Sequence, residues 1–537
     1  MLKQIKSFEK ERKMKKSIRL TALFLIFIML LTGCGNSAKP QESSVAPTTE
    51  STAAEPKAEP KAEPKQDTLT VALRNEGPNL DPQNNGALSS YVVEQAIYDR
   101  LVGKDENGNI IPWLATSWEE IDDTTVRFHL RDDVYFHNGE KLTANDVKYS
   151  IARAEVNPNS QSFFKYFDGE GCTVIDDYTI DVKLYNAFTP MYNYLTIGRA
   201  NIVCASEMER IGSEEYGRNP IGSGPFKFES WVSGDRINLV RNEEYWGEKP
   251  EYKNLVFRFI TETTNRAVEL QTGGVDISFH ISGEDVQTLN EDKNTEALIG
   301  PSFTLVTFAF NTMDYDCFKD VRVRQGLSEA LDIEGIVATV YGETATAADS
   351  LYSPQISGHV SLGPIPYNPE EAKKLLDEGG WDYDHVIQLY TTDASDMKNI
   401  CEIAKNMWAA LGVQCEINIV DNATLQTMLG SGDTEMVMFS TNPSSGDPDH
   451  GMWNWASFNT SRVQSTDEIL NLLNEGKTTS DPAKRNEIYG KVLKLAWDFH
   501  GLIPIAFTNT IYGIRSDVKG FVEDPGYSPS FTNVTFG

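Results

Sequence analysis

The stretch VRFHLRDDVYFHNGEKLTANDVKYSIARA, residues 126–154, carries more local structural signal than any other part of the chain. Val126, Phe128 and Leu130 alternate with Arg127 and His129, the pattern of a half-buried strand. Val134 and Phe136 predict a second strand running into the turn pair Asn138-Gly139. Thr143 stands at a helix N-cap position with Asp146 three residues on, an acid whose charge suits a helix start. Val147, Ile151 and Ala154 then recur at helical spacing. The segment therefore reads strand, strand, tight turn, capped helix.

With the residues just before it, this block resembles the signature of the extracytoplasmic solute-binding proteins that serve peptide-type ABC importers, the oligopeptide/dipeptide/nickel-binding family, family 5. Five further pieces of that family's pattern follow in order: NPIGSGPFKF from Asn219, RNEEYWGEKP from Arg241, FNTMDYDCFKDVRVRQGLSEALD from Phe310, YNPEEAKKLLDEGGW from Tyr367 and SSGDPD from Ser444. The resemblance runs from Thr68 almost to the C-terminus. It implies an α/β, two-lobed periplasmic-binding-protein-like fold of class II type, with a hinge and an extra subdomain on the first lobe. Residues 67–99, 215–304 and 509–537 are expected to form lobe I, 100–214 the extra subdomain and 305–508 lobe II.

The chain opens with a targeting pattern. Lys13, Lys15, Lys16 and Arg19 precede an apolar run from Leu20 to Leu31, short for a permanent bilayer span. Leu31-Thr32-Gly33-Cys34 resembles a lipobox, which implies a signal peptide over 1–33 and a lipid-bearing thiol on Cys34. An uncleaved anchor is the competing reading, and either Met1 or Met14 serves as a start. Residues 34–66 are rich in Ser, Ala, Pro, Thr, Glu and Lys, with tandem Ala-Glu-Pro-Lys units. Such composition buries too little apolar surface to offset ordering, and regular proline favours an extended tether.

Net charge is 48 minus 78, or −30; the leader's eight basic and two acidic residues contribute +6, so the mature chain sits at −36. That argues against non-specific nucleic-acid binding. It does not select a ligand, since charges more than about 8 Å apart are largely screened. Beyond Cys34 there are Cys172, Cys204, Cys317, Cys401 and Cys415, an odd number without a C-x-x-C pair. Buried free thiols are the expectation, with Cys172–Cys204 the one bridge left open.

Leu305 to Phe310 is apolar on both faces, as a central buried strand must be. Asn368-Pro369 starts a helix that ends before Gly379, and Ile400, Ile403, Met407, Trp408 and Leu411 line one face of another. Helices alternating with strands indicate an α/β lobe.

The resemblance also implies ligand contacts. Asn75, Glu76 and Gly77 follow the first strand, which in the family ends at the cleft. Peptide binders of the family pair an aspartate, just ahead of a G-D-P-D element, with the peptide's amino terminus. Placing Gly446-Asp447-Pro448-Asp449 on that element puts Ser444 at the aspartate's position, with Ser440, Thr441 and Asn442 leading into it. Serine supplies no charge. Either Asp447 or Asp449 substitutes, or the solute lacks an exposed amine: a modified peptide, a glutathione-like compound, a metal chelate or an oligosaccharide. Plain turn chemistry is the competing reading of Asp447-Pro448-Asp449. Tyr166, Asn311 and the aromatic group Trp453, Trp455 and Phe458 complete the candidates, and Arg322 and Arg324 offer cations with structural pairing as their commoner fate.

The histidines are scattered without an H-E-x-x-H pair, and neither G-x-S-x-G nor G-x-x-x-x-G-K-[ST] occurs. Catalysis, cofactors and a resident metal are therefore not expected. The partners implied are an ABC permease and ATPase, a membrane reached through Cys34 and a small solute, with the receptor itself a monomer lying outside the cytoplasmic membrane.

Overall fold

The computed structural model describes residues 66–105, 107–452, 463, 465–526 and 529–537; Cys34, Trp453, Trp455 and Phe458 lie outside them. Two large sheets organise the described chain. The first has seven strands in the order Thr295–Gly300, Thr510–Arg515, Ile277–Phe279, Thr68–Leu73, Asn254–Phe259, Arg236–Arg241, Phe226–Val232. The second has six: Ala345–Ala347, Leu502–Thr508, Leu305–Phe310, Met436–Thr441, Val386–Thr391, Gln414–Ile419. Each carries its own apolar core, one around Val71, Leu255 and Phe279, the other around Phe308, Leu389 and Trp408.

The chain passes between these sheets twice, between Gly300 and Leu305 and at Asn509, which gives the two-lobed α/β fold. The strand Leu305–Phe310 is buried at every residue and lies between Met436–Thr441 and Leu502–Thr508, as its two-sided apolar pattern predicts. Pro504 has no N–H to give to the ladder, and the register with Leu305–Phe310 shifts beside it, between Val306 and Thr307.

The signature stretch builds a separate layer. Thr125–Leu130 sits in a four-stranded antiparallel sheet with Ala115–Asp122, Thr179–Lys183 and Thr173–Asp176. Phe128, Val134, Phe136, Val147 and Ile151 share one core. The second strand expected through Val134 and Phe136 is reduced to one bridge, Tyr135 to Lys141. The chain turns too soon to pair further: Gly139 N–H donates to the Phe136 carbonyl at 2.8 Å, with Gly139 at φ +87°. Thr143 does cap the helix Ala144–Val156, and the Asp146 carboxylate accepts from the Thr143 backbone N–H at 2.9 Å and from Ala205 N–H at 3.1 Å. One side chain thus fixes two helix starts.

Cys172, Cys204, Cys317, Cys401 and Cys415 are all free thiols, so the bridge left open between Cys172 and Cys204 does not form. Arg322 pairs with Asp320 at the surface, whereas Arg324 is buried and donates to the carbonyls of Phe318, Lys319, Phe499 and His500. Both arginines are structural. Among the described residues, no helix is long and apolar enough to cross a membrane.

Candidate functional site

The segment after the strand Met436–Thr441 leaves the second sheet and meets the extra layer. Its turn is local: Ser444 N–H donates to Asn442 O at 2.9 Å and Gly446 N–H to Pro443 O at 2.8 Å, with Gly446 at φ +65°. A side chain on Gly446 would strike the Phe303 ring, so close approach as well as backbone conformation requires glycine there. Asn442 Nδ2 ties the turn to Thr304 Oγ1 at 3.0 Å, beside the crossing between the sheets.

Three groups from the extra layer grip this segment. Lys104, ending the strand Val102–Lys104, donates through its ammonium to the Ser445 carbonyl. Asn193, on the short helix Met191–Tyr194, donates to Asp447 Oδ2 at 2.9 Å. Phe163 stands edge-on to the His450 ring, centroids 5.1 Å apart. A fourth link is main chain to main chain, Thr189 N–H to Lys477 O at 2.7 Å. The C-terminal segment closes the other side, with Pro525 O accepting from Phe303 N–H at 3.3 Å.

Asp447 is fully buried, and its carboxylate is held end-on by Arg485 at 2.7 and 3.1 Å. Each oxygen is engaged twice, Oδ1 also accepting from Asp449 N–H at 2.8 Å and Oδ2 from Asn193. It therefore works as a clamp between layers, not as the free carboxylate a ligand amine needs. Asp449 differs. Tyr489 donates to its Oδ1 at 3.2 Å and Lys477 Nζ is 3.8 Å away, while Oδ2 has no hydrogen-bond partner among the described residues. Burial, more than the neighbouring Asp447, raises its carboxyl to about 6 against the pull of Lys477. Burial also lowers the Lys104 ammonium to about 8 and the His450 imidazole to about 4.

The structure thus brings Asn442, Ser444, Asp447 and Asp449 together with Tyr166, which stacks on Phe188 at 3.9 Å and lies 5.8 Å from Lys477 Nζ. Ser440 and Thr441 reach the same end of their strand, opposite Val306 and Leu305. The remaining candidates have partners of their own. Asn75 accepts from Ser89 at 2.9 Å, and Gly77 packs on Ser90. Glu76 accepts from Trp231 Nε1 at 2.6 Å and Gly234 N–H at 2.9 Å, so its carboxylate holds the turn between two strands of the first sheet. Asn311 is at the far end of its strand, buried and donating to the carbonyls of Gly432 and Thr434; it closes a loop and does not face the interlobe contact. Lys104, Phe163, Asn193, Lys477 and Arg485 are the residues that sequence alone does not single out.

With this geometry in place, comparison assigns the class. Residues 109–462 match the profile of the bacterial extracellular solute-binding proteins, family 5 Middle. The chain belongs to that family. It is similar to the dipeptide-binding protein of Escherichia coli strain K12, 27% identical over 505 residues, covering 87% of this chain and 94% of the relative. It is also similar to the glutathione-binding protein GsiB of Salmonella paratyphi A, 25% identical over 479 residues, covering 86% and 93%. Among solved structures, the periplasmic binding protein DppA of Helicobacter pylori in complex with the peptide STSA superposes with a TM-score of 0.78 at 24% identity, covering 88% of this chain and 98% of that one. That likeness is one of fold.

Proposed function

We propose that this protein is the lipid-anchored receptor of an ABC importer, capturing a peptide or peptide-like solute between its lobes and presenting it to the permease. The lobes are residues 67–99 with 215–304 and 509–537, and 305–508; residues 100–214 form the extra subdomain. Cys34 carries the lipid, residues 34–66 hold the body off the outer face of the membrane, and the receptor acts as a monomer. It binds and releases its solute without catalysing a reaction. The observation that carries the reading is the placement of the 442–450 segment, where the family resemblance puts solute recognition, at the contact between lobes. Ligand sites concentrate at such boundaries, and closure there is a known response of binding proteins.

A second reading keeps the scaffold and changes the solute. Ser444 brings no charge to a peptide's ammonium, and one group of relatives is named for glutathione. Native mass spectrometry of freshly purified protein identifies what it carries. A thermal-shift screen across di- to pentapeptides, glutathione, nickel chelates and sugars then ranks candidates, because a solute at one hundred times its Kd stabilises by about 2.7 kcal/mol. No shift from any peptide sinks the peptide reading.

Ser444→Asp tests the position directly. A carboxylate there adds a charge-assisted bond to a free amine, worth about 1.5 to 3 kcal/mol, so a free-amine dipeptide binds roughly ten- to a hundredfold tighter. The N-acetylated peptide gains nothing. Equal gains for both, measured by titration calorimetry, remove Ser444 from the amine's path.

A further inference from the structure

At the end of the second sheet remote from the interlobe contact, three donor side chains from separate parts of the chain converge. Cys317 lies on the single turn Asp316–Phe318, His385 just ahead of the strand Val386–Thr391, and Glu435 just ahead of Met436–Thr441. The topology makes this meeting inevitable. Phe310, ending its strand, faces Met436 across one ladder, and Leu389 faces Met436 across the other. The loops at this end therefore share one corner. Six residues of strand, about 3.3 Å each, put it roughly 20 Å from the Ser444 turn.

The Sγ, Nε2 and carboxylate oxygen all lie within 4.8 Å of one another. His385 Nε2 is 2.5 Å from Glu435 Oε1, and Cys317 Sγ is 3.5 Å from the same oxygen. The second oxygen, Oε2, is fixed by Gln388 N–H at 2.8 Å, and Trp381 stands edge-on to the His385 ring at 5.6 Å. Glu435 is deep, its side chain 3% exposed, while His385 is 32% exposed and Cys317 partly so, which leaves an entry from solvent. Among the described residues no lysine or arginine pairs with this buried carboxylate; its ring partner is the His385 imidazole.

We propose that Cys317, His385 and Glu435 form a binding site for a single divalent ion of the zinc class, with the fourth position open to water. One thiolate, one imidazole and one carboxylate make the mixed sulfur, nitrogen and oxygen set that zinc takes, and that magnesium and calcium, which prefer all-oxygen shells, do not. The reach also fits. Bonds of about 2.0 to 2.3 Å in a tetrahedron place neighbouring donors about 3.3 to 3.7 Å apart. The Cys–Glu pair already has that spacing, and the His–Glu pair needs to open by less than about 1 Å. The Gln388 N–H and the Trp381 ring orient ligands in the way outer-shell groups do at metal sites. A dication also satisfies the buried carboxylate, whose other partners are the His385 ring, the Cys317 thiol and the Gln388 N–H. The site is independent of the solute, since no interlobe group takes part.

The test uses the full mature chain, free of any histidine tag and stripped with a chelator. Titration calorimetry with zinc chloride is expected to show one equivalent bound. Cobalt(II) in its place is expected to give tetrahedral visible bands and a thiolate charge-transfer band. Cys317→Ser should abolish that band and weaken zinc binding at least tenfold, as should Glu435→Gln. Solute binding stays unchanged in both variants, so failure here is separable from failure of the importer reading. Cys317→Ser is nearly isosteric and partly exposed, which keeps the comparison usable if Glu435→Gln fails to fold. No zinc uptake by the wild type, or uptake unaltered by Cys317→Ser, overturns the site.

Discussion

Asp447→Ala is expected to destabilise the lobe built on the six-stranded sheet by about 3 to 5 kcal/mol, a penalty that arises less from the lost bond than from what is left behind. Arg485 is a buried guanidinium whose carboxylate partner is held bidentately; without Asp447 it keeps its charge, because arginine does not deprotonate in a folded protein. Arg485→Ala should cost less, since the stranded Asp447 can take up a proton. The double variant should recover part of the loss, giving a coupling of a few kcal/mol in a double-mutant cycle. Calorimetric unfolding of the set checks this, and additive penalties contradict it. Asn193→Ala separates the clamp from the core pair. It leaves Asp447 and Arg485 together and removes only the donor from the extra subdomain, so stability changes little while solute affinity falls by a few-fold, as the closed arrangement loses about 1 kcal/mol of differential stabilisation.

That division shows what the sequence discloses. Period-two and helical patterns with caps at Thr143 and Asn368 are local signals, and both caps stand where read: Asn368 accepts from Glu371 N–H at 3.1 Å. The two-sided apolar run Leu305–Phe310 reports burial on both faces, and the structure buries it fully. The strand expected at Val134 fails because alternation records which side chains are buried, and Val134 and Phe136 are, but not whether a partner strand lies within reach. The candidate site is less legible. Turn-forming residues and ligand-binding residues share a vocabulary, so nothing local distinguishes Asp447 as a clamp from Asp447 as a receptor for an amine. Its partners Arg485 and Asn193 are 38 and 254 residues away, and no local pattern ties either one to the turn. Asn311 is ambiguous for a related reason: a strand has two ends, and pattern alone does not say which one meets the cleft. Direction enters only through the antiparallel pairing of Leu305 with Thr441.

Asp449→Asn is expected to change the pH dependence of stability, and its sign follows from burial. The folded carboxyl is raised from 3.8 to about 6, chiefly because Asp449 is 1% exposed, with a lysine no nearer than 3.8 Å and Oδ2 unpartnered among the described residues. Between about pH 4 and 6 the folded state therefore binds the proton that the unfolded chain has released. Its stabilising share is complete below about pH 4 and is lost as pH rises through 6, a change of about 3 kcal/mol for two units at 1.36 kcal/mol each. Asparagine keeps an oxygen for the Tyr489 hydroxyl and has no charge to desolvate. The stability of Asp449→Asn relative to the wild type should accordingly be greater at pH 8 than at pH 4 by that amount, read from chemical unfolding at the two values. His450 is lowered to about 4 by burial and contributes a slope of the opposite sign over the same range, but it does so in both proteins and cancels in the difference. A difference independent of pH would mean that Lys477 compensates the buried charge in full. In that case Asp449 is an ion-pair member like Asp447, and neither aspartate offers a free carboxylate to a solute's amine.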